Sequence, residues 1–228
     1  MIAGNFRSIK EKIVSAASRI GRDPDEIRIV AAAKGQNPEA IREAVQAGVT
    51  IVGHNYLQEA LQVTNALEIK PVEHHMIGHL QRNKAGKAAD IFDTVQTVDN
   101  EKLASALNNR CQDNGRRMGI LIQVNLAREP QKSGIPEEEV APLADYILTL
   151  PCLKLKGLMT MPPFFDDPER ARPYFAGLRE LRERLQRDGV FSPEMKELSM
   201  GMTGDFEAAV EEGATLVRIG TALFGARQ

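Results

Sequence analysis

Apolar positions along this 228-residue chain follow two periodicities that take turns. Over residues 1–23 they recur every three to four residues, the spacing of one helix face. The next apolar segment, 27–33, is short, continuous and rich in Ile, Val and Ala, which predicts a buried strand. Seven further runs of strand length follow at 49–55, 72–78, 92–98, 118–125, 153–160, 196–200 and 214–220. The segments between them, 38–48, 55–69, 80–90, 100–115, 136–150, 167–189 and 204–213, predict helices. Several of these open on Pro or an acidic residue and close on Gly, as helix ends should.

Eight strands alternating with helices predict parallel βαβ units. An open doubly wound sheet and a closed (β/α)8 barrel both satisfy that order. The count of eight, at about 25–30 residues per unit, favours the barrel. The first strand leads into "AAAKGQNPEA", which lacks the G-x-G-x-x-G of a dinucleotide fold. No linker rich in Gly, Ser or Pro interrupts the pattern. The expectation is an α/β protein, a single (β/α)8 TIM barrel spanning residues 1–228 with an extra N-terminal helix.

Composition narrows the function classes. There are 29 Lys and Arg residues against 31 Asp and Glu, a formal net charge of −2 with no basic stripe, which argues against a nucleic-acid surface. Cys111 and Cys152 lie far apart and outside any C-x-x-C spacing, consistent with a reducing compartment. No apolar run approaches the ~18 residues of a membrane span, and the N-terminus lacks a signal-peptide core. A soluble cytoplasmic protein without membrane or nucleic-acid partners is expected.

Chemistry in such barrels gathers at the carboxyl ends of the strands. Those ends read Lys34, His54 and Asn55, Gly78 and His79, Thr97 and Asp99, Gln123 and Asn125, Thr160, Ser199 and Arg218. A ring of hydrogen-bonding groups with one lysine on the first strand points to a ligand pocket. The loops after strands seven and eight carry Ser199, Gly201, Thr203, Gly220 and Thr221, the usual phosphate position in a barrel, where free backbone N–H groups meet an anion. Thr203 as a plain N-cap and the glycines as tight turns are the structural alternatives. A phosphate end beside a lysine amine suggests a phosphorylated aldehyde held as a Schiff base, with pyridoxal phosphate the obvious candidate.

The stretches "AAAKG", "GHNYLQEA", "HHMIGHLQRNK", "VNLAREPQKSG", "LKGLMTMPP" and "LSMGMTGDFEAAVEEGATLVRIGTALFGAR" together resemble the pyridoxal phosphate homeostasis protein family, whose members resemble the barrel domain of alanine racemase. The resemblance runs over almost the whole chain. It implies a monomeric or loosely associated barrel with pyridoxal 5'-phosphate on Lys34, Arg218 facing the pyridine nitrogen, Ser199, Gly220 and Thr221 at the phosphate, and Asn55 beside the ring. Thr203 joins this cofactor-binding set from the loop reading. The implied role is to buffer the cofactor and deliver it to apo-enzymes that depend on it, without dedicated turnover. The sequence departs from the family pattern at His54, where glutamate is usual, and at Ala33, where serine is usual.

A chemical argument supports the non-catalytic expectation. The cofactor is the better electron sink when its ring nitrogen is protonated. Arginine keeps its own proton, so Arg218 leaves that nitrogen unprotonated. Racemases with such an arginine use two bases, the second supplied with the help of a C-terminal β domain, and the sequence stops at Gln228 soon after the last barrel motif. The competing readings are a Schiff-base enzyme (a weak racemase or an aldolase-type barrel), a metal site on His54, His74, His75 and His79, and a protein-docking role for the charged helix at 169–189. No H-E-x-x-H occurs, and adjacent strand residues His74 and His75 point to opposite faces, so no metal is expected.

Overall fold

A computed structural model describes residues 1–66 and 72–225. Its eight strands are β1 (Arg28–Ala32), β2 (Ile51–His54), β3 (Glu73–Met76), β4 (Thr94–Val98), β5 (Met118–Val124), β6 (Leu153–Thr160), β7 (Glu197–Met202) and β8 (Leu216–Ile219). All pair in parallel, each with its sequence neighbour, and β1 pairs with β8 to close the barrel. The helices are α1 (Ile2–Arg19), α2 (Pro38–Gln46), α3 (Leu57–Ala66), α4 (Ala85–Ile91), α5 (Glu101–Asp113), α6 (Val140–Leu148), α7 (Arg172–Arg187), α8 (Phe206–Glu211) and α9 (Thr221–Phe224). The expected helix at 55–69 is observed as far as Ala66; residues 67–69 lie outside the described residues.

The extra N-terminal helix has a structural task. Its apolar side, Ile2, Ile9, Ile13, Ala16 and Ala17, is buried, and it packs against α2, α8 and α9. Because α9 has only four residues, α1 supplies the wall that a full eighth helix would otherwise give. Asn5 donates to the Leu223 carbonyl at 2.9 Å, and Arg19 binds Glu211 at 2.6 Å, which tie α1 to α9 and α8. Among the described residues no helix is long and apolar enough to cross a membrane.

Strand alternation sorts the core into two compartments. Outward residues such as Ile29, Ile120, Leu158 and Val217 join the helices in the larger cluster. Inward residues Val30, Ile51, Ile77, Leu121, Met159 and Leu216 form a smaller cluster filling the barrel. At the amino ends of the strands that plug meets charge: Arg28 bridges Glu73 at 3.4 Å and Glu197 at 2.6 Å. At the carboxyl ends it meets the cavity described next.

β7 runs two residues further than the sequence pattern predicts, to Met202. Gly201 sits within it at φ +88°, where a Cβ would lie 2.5 Å from that of Ala209. Only glycine permits both that backbone and that approach of α8. The pairing with β8 shifts register between Ser199 and Met202, so the strand bends over the barrel mouth.

Candidate functional site

Inward parity along β1 continues from Val30 and Ala32 to Lys34, which stands two residues beyond the strand at the mouth of the barrel. Along β8 it runs from Leu216 to Arg218 and Gly220. Since β1 and β8 pair, with Val30 opposite Arg218, the lysine and the arginine look into one space from adjacent strands. That space is a cavity of about 340 Å³, within the size range of small-ligand sites. Lys34, Asn55, Thr203, Arg218, Gly220 and Thr221 all line it.

Lys34 is half-buried, with Nζ 5.3 Å from the centre of the Tyr56 ring. Its turn is steadied by Glu59, whose Oε1 accepts from the Gly35 N–H at 3.3 Å. Asn55 is held from below by Gly78, where a Cβ would run into the Asn55 carbonyl oxygen. Glycine in the third strand motif therefore lets two chain segments approach at the mouth.

Arg218 closes the deep end. It is almost fully buried, and burial pushes its pKa down to about 10, with nearby Asp205 acting the other way. Nη1 donates to Ser199 Oγ at 2.7 Å and Nη2 donates to the Thr160 carbonyl at 2.8 Å. A guanidinium has five N–H donors, so these bonds orient the group and leave donors for a molecule in the cavity.

Ser199 stands apart from the other expected ligands. It is completely buried, one layer below the cavity, and is absent from its lining. Its hydroxyl receives from Arg218 and donates to Gln96 Oε1 at 2.6 Å, so it has no proton left for a phosphate. The extension of β7 is the cause, because it moves the strand end from Ser199 to Met202 and Thr203. Thr203 itself lines the cavity while its Oγ1 accepts from the Ala222 N–H at 3.3 Å, joining the seventh loop to α9.

Other lining residues carry weaker sequence signals. The loop after β6 supplies Met161, Pro163, Phe164 and Phe165, an apolar part of the lining. Phe165 is stacked on Tyr174 and capped by Arg170, whereas Phe164 is 85% exposed. Met161, in the same lining, is also exposed. The doublet "FF" between Pro and Asp, in a loop, was the available clue. Asp205 also lines the cavity; its Oδ1 accepts from the Met202 N–H at 2.6 Å, and burial raises its pKa.

The four histidines do not converge on one point, although His54 Nε2 lies 3.1 Å from His74 Nδ1. His54 faces outward and stacks on His74 at 5.3 Å, beside Phe92. His75 points into the barrel and bonds Gln96, and exposed His79 contacts Ser133. Among the described residues no group of three or more His, Cys, Asp or Glu side chains could hold a metal ion.

A closed parallel barrel with a lysine and a buried arginine meeting across its β1–β8 seam belongs to a defined class. The family model described as "Alanine racemase, N-terminal domain" matches residues 5–228, and the chain belongs to that family. Within it the relatives are more specific: the pyridoxal phosphate homeostasis protein of Aquifex aeolicus (strain VF5) is 41% identical over 220 residues, covering 96% of each chain. Among solved structures, PipY of Synechococcus elongatus PCC7942, with PLP bound, superposes with a TM-score of 0.87 at 31% identity and covers 99% of this chain and 100% of that one. Alanine racemase of Clostridium difficile 630 shares the fold, with a TM-score of 0.73 at 17% identity, this chain spanning 56% of its length.

Proposed function

We propose that this protein binds pyridoxal 5'-phosphate at the β1–β8 seam and acts in vitamin B6 homeostasis, holding and passing on the cofactor without dedicated turnover. The observation that carries the reading is the convergence of Lys34 and Arg218 on one cavity from paired strands. It is supported by relatives named pyridoxal phosphate homeostasis proteins and by a near full-length structural neighbour with PLP bound.

The residues fit the group. Lys34 offers the amine that condenses with an aldehyde, losing water. Arg218 offers spare N–H groups at the deep end, and Thr203, Gly220 and Thr221 line the same cavity from the loops after β7 and β8. Asn55 stands beside the lysine, and the Met161–Phe165 loop gives an apolar face for a flat ring. When bound, the cofactor supplies an electron sink, strongest with a protonated ring nitrogen. Arg218 cannot readily give up a proton, so the chain's own residues work against that state. Among the described residues Asp205 is the one carboxylate in the lining, and it is engaged by the Met202 N–H. The role implies recipient apo-enzymes as partners, and Met161 and Phe164 present exposed apolar surface in the cavity lining.

The test is visible absorption of the purified protein before and after borohydride, with mapping of the modified peptide. A yellow band that bleaches, leaving a pyridoxyl adduct on Lys34, is the expected result. Protein that stays colourless and takes up no pyridoxal phosphate would sink the reading.

A further inference from the structure

Inside the barrel, below the cavity, polar side chains from five strands are linked in a row. Arg218 Nη1 reaches Ser199 Oγ at 2.7 Å, and Ser199 Oγ reaches Gln96 Oε1 at 2.6 Å. Gln96 Nε2 reaches His75 Nδ1 at 2.8 Å, and His75 Nε2 reaches Glu73 Oε2 at 3.0 Å. Glu73 in turn pairs with Arg28 on β1. Because β4 and β7 are not neighbours, the Gln96–Ser199 bond crosses the lumen. Ser199, Gln96 and His75 are each fully buried, where an unmade hydrogen bond is costly.

The two ends give this row a direction. A guanidinium only donates and an ionised carboxylate only accepts. Ser199, receiving from Arg218, must pass its own proton to an acceptor, which fixes the Gln96 amide with oxygen toward Ser199 and nitrogen toward His75. His75 therefore accepts at Nδ1 and carries its proton at Nε2, directed at Glu73. All four bonds run one way, from the cavity floor to the barrel base. Reversing any one of them would leave two donors or two acceptors face to face.

We propose that Gln96 and His75 are positioning residues for Arg218: through Ser199 they set the guanidinium's orientation and hence which N–H groups meet the ring nitrogen of a bound pyridoxal phosphate. Neither residue touches the cavity. The part concerning the cofactor rests on the function proposed above; the orientation of Arg218 does not.

The test compares His75→Leu, which can neither accept from Gln96 nor donate to Glu73, with His75→Gln, which can do both. In the cofactor-free protein the guanidinium NMR signals of Arg218, assigned with Arg218→Lys, should be protected from solvent exchange in wild type and His75→Gln and lose that protection in His75→Leu. In the loaded protein His75→Leu should release pyridoxal phosphate about tenfold faster (~1.4 kcal/mol), and His75→Gln at close to the wild-type rate. Equal behaviour of the two variants, or unaltered Arg218 protection in His75→Leu, would overturn the proposal. Should His75→Leu fail to fold, Glu73→Ala removes the terminal acceptor at a side chain that is 43% exposed; Arg218 signals that do not move in that variant also overturn it. A wild-type protein that binds no cofactor but shows the protection pattern would reject the function while leaving the positioning intact.

Discussion

The Nη1 of Arg218 lies 2.7 Å from the Oγ of Ser199, both side chains being shut away from solvent inside the barrel. Ser199→Ala therefore strands a guanidinium N–H and, across the lumen, the Gln96 amide oxygen. Each unpaired buried group costs about 1–3 kcal/mol. The urea midpoint should fall accordingly, with no change in slope. A midpoint equal to wild type would mean that these bonds contribute nothing to folding.

Lys34→Ala should behave in the opposite manner. The side chain is half-buried and its one ring contact is with half-exposed Tyr56, a pairing of about 0.5–1 kcal/mol. Stability should hardly move, whereas borohydride should no longer fix pyridoxal phosphate to the protein. Mass spectrometry of the reduced protein checks both the loss and its site.

Asp205 places a carboxylate in a cavity proposed to hold a phosphate. Asp205→Asn keeps an oxygen for the Met202 N–H and removes the charge. Affinity for inorganic phosphate, measured by calorimetry on cofactor-free protein, should rise by up to about tenfold, equivalent to ~1.4 kcal/mol. Weaker binding would show that the carboxylate serves chiefly to keep Arg218 in place.

Acid should destabilise the fold in two overlapping windows. His54 is held at a pKa of about 3, chiefly by burial, with His74 and His75 acting the same way, against an ordinary value of 6.5. Between those values the unfolded chain takes up a proton that the folded one refuses, so stability is full above pH 6.5 and declines as pH falls toward 3. Glu73 is lowered from 4.5 to about 2, chiefly by the hydrogen bond from His75, so its contribution is present above 4.5 and lost as pH falls through 2. His54→Phe should flatten the first window by up to ~1.4 kcal/mol per pH unit, read from urea melts between pH 7 and 4.

The order of elements was legible because a strand buried on both faces and a helix buried on one leave different periods in the chain. Lys34, Asn55 and Arg218 could be gathered from strand ends, and Thr203, Gly220 and Thr221 from the loops after strands seven and eight; the structure brings all six to one cavity. Ser199 fell one layer short because Gly201 and its neighbours read as a turn, whereas β7 continues through them to Met202. His75 and Gln96 were not legible as a pair: each sits in a plain strand pattern, and only barrel closure brings β3, β4 and β7 around a common axis. Phe164 and Phe165 lie in a loop, where no period marks the side that will face a ligand.

The seam between β1 and β8 also governs when the site comes into being. Lys34 follows the first strand made and Arg218 lies on the last, and the two become neighbours only through that final pairing. A nascent chain would thus display Lys34 long before the arginine has left the ribosome. On the function proposed above, uptake of the ligand waits for that pairing, so that a loaded molecule is one whose barrel has closed.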